Sequence, residues 1–321
     1  MGGDADPRSS DEEKNVSVIL ELAVGEGPGQ VSLPDAERLV AAAQASGIDA
    51  IRLVDRAGGV PTLDPSVVGA YLAGEYRRIS YLVDVATTHN APYNLARRVL
   101  SIDRATGGRV GLTLRTGVGD EVSDPAAPRP DSADSDSASR WAEYAEILAA
   151  LWKSFPAEAL RGDQAAGIVA DDALIRPIGH DGVFYRVAGP LDGPSSPQGR
   201  PVLLADNADA VGWDRIAGVA DAVIVDHAGI GDAESALADA LARAGRPRRE
   251  VAILSRIGID DPDTVRAALA SSTVSGVVLA AHEGVDDTIS TLEDIVRKSD
   301  RTTPQYLRET LGLPAAEEYV R

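Results

Sequence analysis

Eight short apolar runs, each followed by a stretch of helical patterning, set the main constraint on this chain. The first four begin near residues 16, 48, 79 and 109. That spacing of about 30 residues is the length of one strand–crossover–strand unit. Val16 to Ala23 reads as strand one. Ser32, with Asp35 three residues on, reads as a helix N-cap, Leu39, Val40 and Ala43 as the buried stripe, and Gly47 as the stop. Ile48 to Val54 is strand two, and Asp64-Pro65 opens the next helix as N-cap and first helical residue. Ile79 to Val85 is strand three. Pro92 opens a helix that Gly107-Gly108 ends, and Arg109 to Leu114 is strand four.

The rhythm then breaks. Residues 119–139 are acidic and rich in Ser, Pro and Ala, the composition of a mobile surface loop. Ser139 to Phe155 reads as a strong helix. Residues 156–200 read as an excursion with its own structure. The aromatics Trp141, Tyr144, Trp152, Phe155, Phe184 and Tyr185 argue that it packs on the body of the protein. Pro201 to Ala205 is strand five, followed by a helix over Ala208 to Val219. Asp221 to Val225 is strand six, with a helix over Ala233 to Ala244. Glu250 to Leu254 is strand seven, and Asp261-Pro262 caps the next helix. Ser275 to Ala280 is strand eight, and Asp286 to Lys298 the last helix. Residues 1–14 read as a disordered N-terminal segment, 15–300 as one domain and 301–321 as a tail of mixed charge.

Eight strands each followed by a helix predict an α/β fold, a closed (β/α)8 TIM barrel with an excursion between strands four and five. An open doubly wound sheet is the alternative. Its first strand–helix turn would then carry a phosphate loop. Gly25-Glu26-Gly27-Pro28-Gly29 is rich in glycine, but Glu26 and Pro28 suit a phosphate cradle poorly, so it reads as a plain turn.

The balance of 50 Asp and Glu against 31 Lys and Arg gives a formal charge of −19. Nucleic acid and anionic membrane surfaces call for a basic footprint, so neither is expected as a partner. The chain has no cysteine, which excludes disulfides, thiolate metal sites and thiol nucleophiles. No apolar run reaches the length of a membrane span. Met1 to Glu13 lacks the basic start and apolar stretch of a secretory signal, so the expected location is cytoplasmic.

In a barrel of this kind chemistry gathers at the carboxyl ends of the strands. There the sequence places Glu21 and Glu26, Asp55 and Arg56, then Asp84 with Thr87, Thr88, His89 and Asn90. Arg115 and Thr116 follow strand four, and Asp206, Asn207 and Asp209 follow strand five. Asp226 and His227, Ser255 and Arg256, and His282 and Glu283 complete the rim. His89, His227 and His282 are the candidate proton-handling residues. They lack the HxH, HExxH or helical spacing of a metal site, and no metal is expected. No GxSxG elbow is present. A phosphate beside Asp206 and Asp209 meets like charge, which Arg115 or Arg256 would have to offset. Asp209 also reads as a plain N-cap of the following helix.

Two stretches carry a resemblance. The first holds Pro92-Tyr93-Asn94-Leu95-Ala96-Arg97-Arg98, Ser101-Ile102-Asp103 and Gly107-Gly108-Arg109-Val110-Gly111. The second holds Leu151-Trp152-Lys153-Ser154, His180-Asp181-Gly182, Gly189-Pro190-Leu191 and Pro197-Gln198-Gly199-Arg200-Pro201-Val202. With the tail Leu307 to Pro314 they resemble the bacterial-luciferase-like flavin monooxygenases, in the branch of nitrilotriacetate and dibenzothiophene-sulfone monooxygenases. The resemblance implies a (β/α)8 barrel, reduced FMN supplied by a separate reductase, O2 as co-substrate, a small organic substrate, and a homodimer or a heterodimer with a related subunit. It places Asp55 as the flavin carboxylate after strand two, and Thr87, Thr113, Arg115, Asn207 and Asp209 at the cofactor positions. The family's QAGxS phosphate loop reads Ala205-Asp206-Asn207-Ala208-Asp209 here, and its lid insertion between strands seven and eight is replaced by a short connection. A flavin-free relative acting as a subunit or binding protein is the alternative.

Overall fold

The computed structural model describes residues 16–88, 90–117, 136–281, 284–295 and 304–315. The expected disordered N-terminus, most of the acidic loop, His89, His282 and the end of the last long helix lie outside them.

Eight parallel strands close into a barrel in sequence order. They are β1 (Ser17–Leu22), β2 (Ala50–Leu53), β3 (Ser80–Ala86), β4 (Val110–Arg115), β5 (Val202–Asp206), β6 (Ala222–Asp226), β7 (Ala252–Gly258) and β8 (Gly276–Ala280). The doubly wound alternative is thereby excluded, since β1 pairs with both β2 and β8. Helices α1 (Leu33–Ser46), α2 (Pro65–Glu75), α3 (Pro92–Ala105), α4 (Ser137–Lys153), α5 (Ala208–Val211), α6 (Trp213–Val219), α7 (Ile230–Ala244), α8 (Pro262–Leu269) and α9 (Val285–Ile295) surround it.

The helix starts follow from local chemistry. Ser32, Asp64 and Asp261 each accept backbone N–H bonds from the first turn of α1, α2 and α8. Gly47 stops α1 with φ 88°, a left-handed conformation that favours glycine. Two expected elements differ. The helix over 208–219 is broken in two, because Gly212 stands at φ 90° and ends α5. Helix α4 starts inside the expected loop, because Asp136 accepts the Ser139 N–H at 2.8 Å and caps it.

Each strand alternates between two environments. Val18, Leu20, Ile51, Leu53, Val83, Leu112, Leu203 and Ile253 face the helices in one large core. Ile19, Ala50, Leu82, Val202, Leu204, Ala222, Ile224, Ala252, Leu254 and Val278 fill the barrel interior. Leu307, Leu311 and Leu313 pack into that interior cluster, so the segment expected as a tail closes the barrel floor. A short helix, α10 (Leu307–Thr310), carries it. Below the floor Asp103 accepts Val110 N–H and Gln198 Nε2 at 2.9 Å each, and the Ser196 hydroxyl donates to it as well. Asp221 accepts Arg200 at 2.6 Å and Arg308 at 3.3 Å. The motifs that carried the resemblance thus tie the tail to the barrel.

The excursion docks on α4. Glu143 accepts the N–H groups of Val183, Phe184 and Tyr185 at 2.9 to 3.1 Å and lies 2.9 Å from His180 Nε2. Trp141 and Trp152 are buried and donate to Leu114 O and Ala96 O at 2.7 and 3.0 Å. Among the described residues no helix is long and apolar enough to cross a membrane.

Candidate active site

The same alternation that fills the barrel interior decides what reaches its carboxyl-terminal mouth. Two residues beyond Ile19 is Glu21, and two beyond Ala50 is Arg52. Asp84 follows Leu82, Asp206 follows Leu204, Asp226 follows Ile224 and Arg256 follows Leu254. On β4 the helix-facing positions are Val110, Leu112 and Leu114, which leaves Thr113 and Arg115 on the inner face. Every strand but β8, which presents Ala280, therefore sends a charged side chain into the mouth.

Arg52 holds this ring together. Its Nε and Nη2 donate to the two oxygens of Asp84 at 3.0 and 2.8 Å, and its Nη1 donates to Glu21 at 2.7 Å. Nη2 also bonds Asp206. Arg52, Glu21 and Asp84 are all buried. An ion removed from water costs several kcal/mol unless it is fully paired, so these charges stand or fall together. Burial pushes Asp84 up to about 6 even with Arg52 beside it. Burial raises Asp206 too, but Arg52 outweighs it and holds that carboxyl below its ordinary value. Arg256 donates to Glu21 at 2.6 and 3.0 Å and lies 3.7 Å from Asp226. Arg115 donates to Asp55.

Five carboxylates thus meet three arginines. The outer members, Asp55, Arg115, Asp206, Asp226 and Arg256, retain contact with solvent. Beneath them, Thr113 is fully buried and its hydroxyl has no hydrogen-bond partner among the described residues. Buried hydroxyls are normally bonded, so an orphan that faces inward is available to a ligand.

The expected site residues fall into separate places. Asp55, Arg115 and Thr113 belong to the mouth. Thr87 is held in the scaffold, its hydroxyl accepting Gly117 N–H and its carbonyl accepting the Tyr185 hydroxyl, both at 3.3 Å. His227 stands at the end of β6 with Nδ1 2.9 Å from Ser255 Oγ. Asn207 caps α5 from a left-handed conformation, in place of Asp209, which lies exposed in the first turn. Among the described residues no cluster of His, Cys, Asp and Glu could hold a metal ion. Sequence reasoning missed Arg52. The signal was its place in phase with Ala50 on a strand buried from end to end, where a charge has to be paired.

FMN has a polar ring edge and an anionic phosphate. The mouth fits the first: the orphan Thr113 hydroxyl and a partly exposed Arg115–Asp55 pair offer donors and acceptors to a ring edge. It does not fit the second, because each of the three inward arginines is already bonded to a carboxylate.

Comparison with known proteins agrees with the architecture. The model of the luciferase-like monooxygenase family matches residues 15–301. One of the subunits of pristinamycin IIA synthase from Streptomyces pristinaespiralis is 28% identical over 282 residues, covering 87% of this chain and 89% of that protein. Dibenzothiophene-sulfone monooxygenase of Rhodococcus erythropolis is 32% identical over 146 residues, 46% of this chain and 32% of that enzyme. The chain therefore spans most of the one relative and about a third of the other. The structure of DmoA from Hyphomicrobium sulfonivorans superposes with a TM-score of 0.71 at 18% identity, covering 95% of this chain and 96% of that one. With the barrel closed in sequence order and the family match running through all eight strands, the chain belongs to the luciferase-like monooxygenase family.

Proposed function

We propose that the chain works as a flavin-dependent monooxygenase on a small organic substrate, with the reaction at the barrel mouth. The reading rests on one observation above the rest: in a member of this family, seven strands converge charged side chains on the carboxyl-terminal opening. Reduced flavin, FMN in the family, delivered by a separate reductase, would supply two electrons when bound, so that one atom of O2 enters the substrate and the other leaves as water. Asp55 and Arg115 would face the ring edge, with Thr113 beneath them. His227, braced by Ser255 and facing solvent, would exchange protons with water. The excess of carboxylates favours neutral or cationic substrates over polyanions, because like charges a few Å apart cost on the order of 1 kcal/mol or more. The near full-length likeness to a relative named as one subunit of a synthase supports assembly with a related chain or a second copy.

Anaerobic titration of the purified chain with reduced FMN tests the reading. Micromolar affinity is expected. Failure to bind at millimolar flavin would remove the chain from the working monooxygenases.

A further inference from the structure

We propose that this chain binds flavin without reading its phosphate, so that FMN gains no affinity over riboflavin. This inference rests on the flavin reading above. It follows from how the chain uses its own donors at the rim.

The turn after β5 has the form in which a barrel offers backbone N–H groups to an anion. Here two of those groups are bonded within the turn itself. Asn207 N–H donates to the Asp206 carboxylate at 2.8 Å, and Ala210 N–H donates to Asn207 Oδ1 at 3.4 Å. Asn207 stands at φ 58°, the one non-glycine residue with positive φ among the described residues, and this conformation accompanies the internal capping. The helix that follows has four residues and provides little dipole. Asp209 adds a further exposed carboxylate in its first turn.

Among the described residues, four other rim helices offer no better anion site. Asp64 and Asp261 occupy the N-termini of α2 and α8. Pro92 removes one N–H from the start of α3. The start of α7 lies between Asp226 and Asp232. The inward cations are committed as well: Arg52 to Glu21, Asp84 and Asp206, Arg115 to Asp55, and Arg256 to Glu21. Outside the ring, Arg56 donates to the Gly59 carbonyl of its own hairpin. A phosphate at this mouth would meet an excess of negative charge, whereas the uncharged ribityl end of riboflavin would not. Asp206, bonded to both Arg52 and the Asn207 N–H, puts a carboxylate on this turn and takes up its nearest cation.

The test is calorimetric titration of the whole protein with FMN and with riboflavin, each oxidised and anaerobically reduced, at about 0.05 and about 0.5 M salt. The expected result is that riboflavin binds at least as tightly as FMN, within about threefold or better, and that high salt does not weaken FMN binding relative to riboflavin. FMN binding at least about tenfold tighter, and losing that advantage in high salt, would show a phosphate–cation contact and overturn the inference while leaving the proposed function standing. Binding of neither flavin overturns both.

Discussion

Arg52 and Asp84 form a bidentate ion pair, Nε and Nη2 against the two carboxylate oxygens at 3.0 and 2.8 Å, closed off from solvent inside the barrel. The pair sits where many barrels keep a ligand pocket. It joins β2 to β3 directly, and through Glu21 and Asp206 it reaches β1 and β5. The mouth is thereby shaped by charge rather than by apolar packing.

Removing Arg52 alone leaves three carboxylates without their shared cation. Arg52→Met is expected to lower stability by about 3 to 5 kcal/mol in urea unfolding. Combining it with Glu21→Gln and Asp84→Asn should recover at least half of that loss, because the buried negative charge goes with it. A single variant within about 1 kcal/mol of the parent would show that the ring does not support the barrel.

Two buried carboxyls give stability a definite pH dependence. Burial holds Asp84 and Asp103 at about 6, against an ordinary value of 3.8. Between those values the folded state carries more protons than the unfolded one, so their contribution to stability falls as pH rises from about 4 to about 6. A two-unit shift corresponds to at most about 3 kcal/mol per group. Asp206 and Asp221, held below the ordinary value, act in the opposite sense at lower pH. Asp103→Asn should remove part of the fall between pH 4 and 6, read from chemical denaturation at several pH values. An unchanged slope would remove Asp103 from this account.

The barrel was legible because its signals are local. Caps such as Ser32, Asp64 and Asp261 and the apolar runs mark each element within a few residues. The break at Gly212 and the early start of α4 at Ser137 were not legible, since each depends on a single cap or glycine. The rim residues were legible as a set, from strand ends alone. Their pairing was not, because Arg52 meets Asp206 across 154 positions of sequence, and only closure of the barrel brings them together. The floor plug was hidden for the same reason: Leu307 and Leu311 lie in a segment expected as a tail of mixed charge, and only closure of the barrel brings Gly111 against Leu307.

That contact is itself testable. A Cβ on Gly111 would lie 2.9 Å from both Leu307 Cδ2 and Leu82 Cδ2 and 3.1 Å from the Val202 carbonyl. Gly111→Ala is expected to cost about 1 to 3 kcal/mol, and Leu307→Ala about 2 to 5 kcal/mol. In the double variant the two losses should add to less than their sum by about 1 kcal/mol, since the smaller side chain relieves the clash. Strict additivity would mean that the plug does not seat against β4.

The Arg115–Asp55 pair separates binding from stability. Both side chains keep partial contact with solvent, so losing the pair costs less than breaking the buried ring. Asp55→Ala is expected to change stability by less than about 1 kcal/mol. The proposed function places the pair against the flavin ring edge, so affinity for reduced flavin should fall by about tenfold. A stable variant with unaltered flavin affinity would move the ring edge elsewhere on the rim.

Thr113 provides the complementary case, a side chain that the fold itself does not use. Its hydroxyl is fully buried, inward-facing and without a partner among the described residues. Valine matches its shape and carries no unmet hydroxyl. Thr113→Val is therefore expected to leave stability unchanged or raise it by about 1 kcal/mol. Flavin affinity should move the other way, falling by about threefold to tenfold if the hydroxyl bonds the ring. Thermal unfolding and flavin titration of the same preparation read the two effects independently. A variant that loses stability would show that the hydroxyl serves the barrel, and the mouth would then have to bind its ligand through its outer charged residues alone.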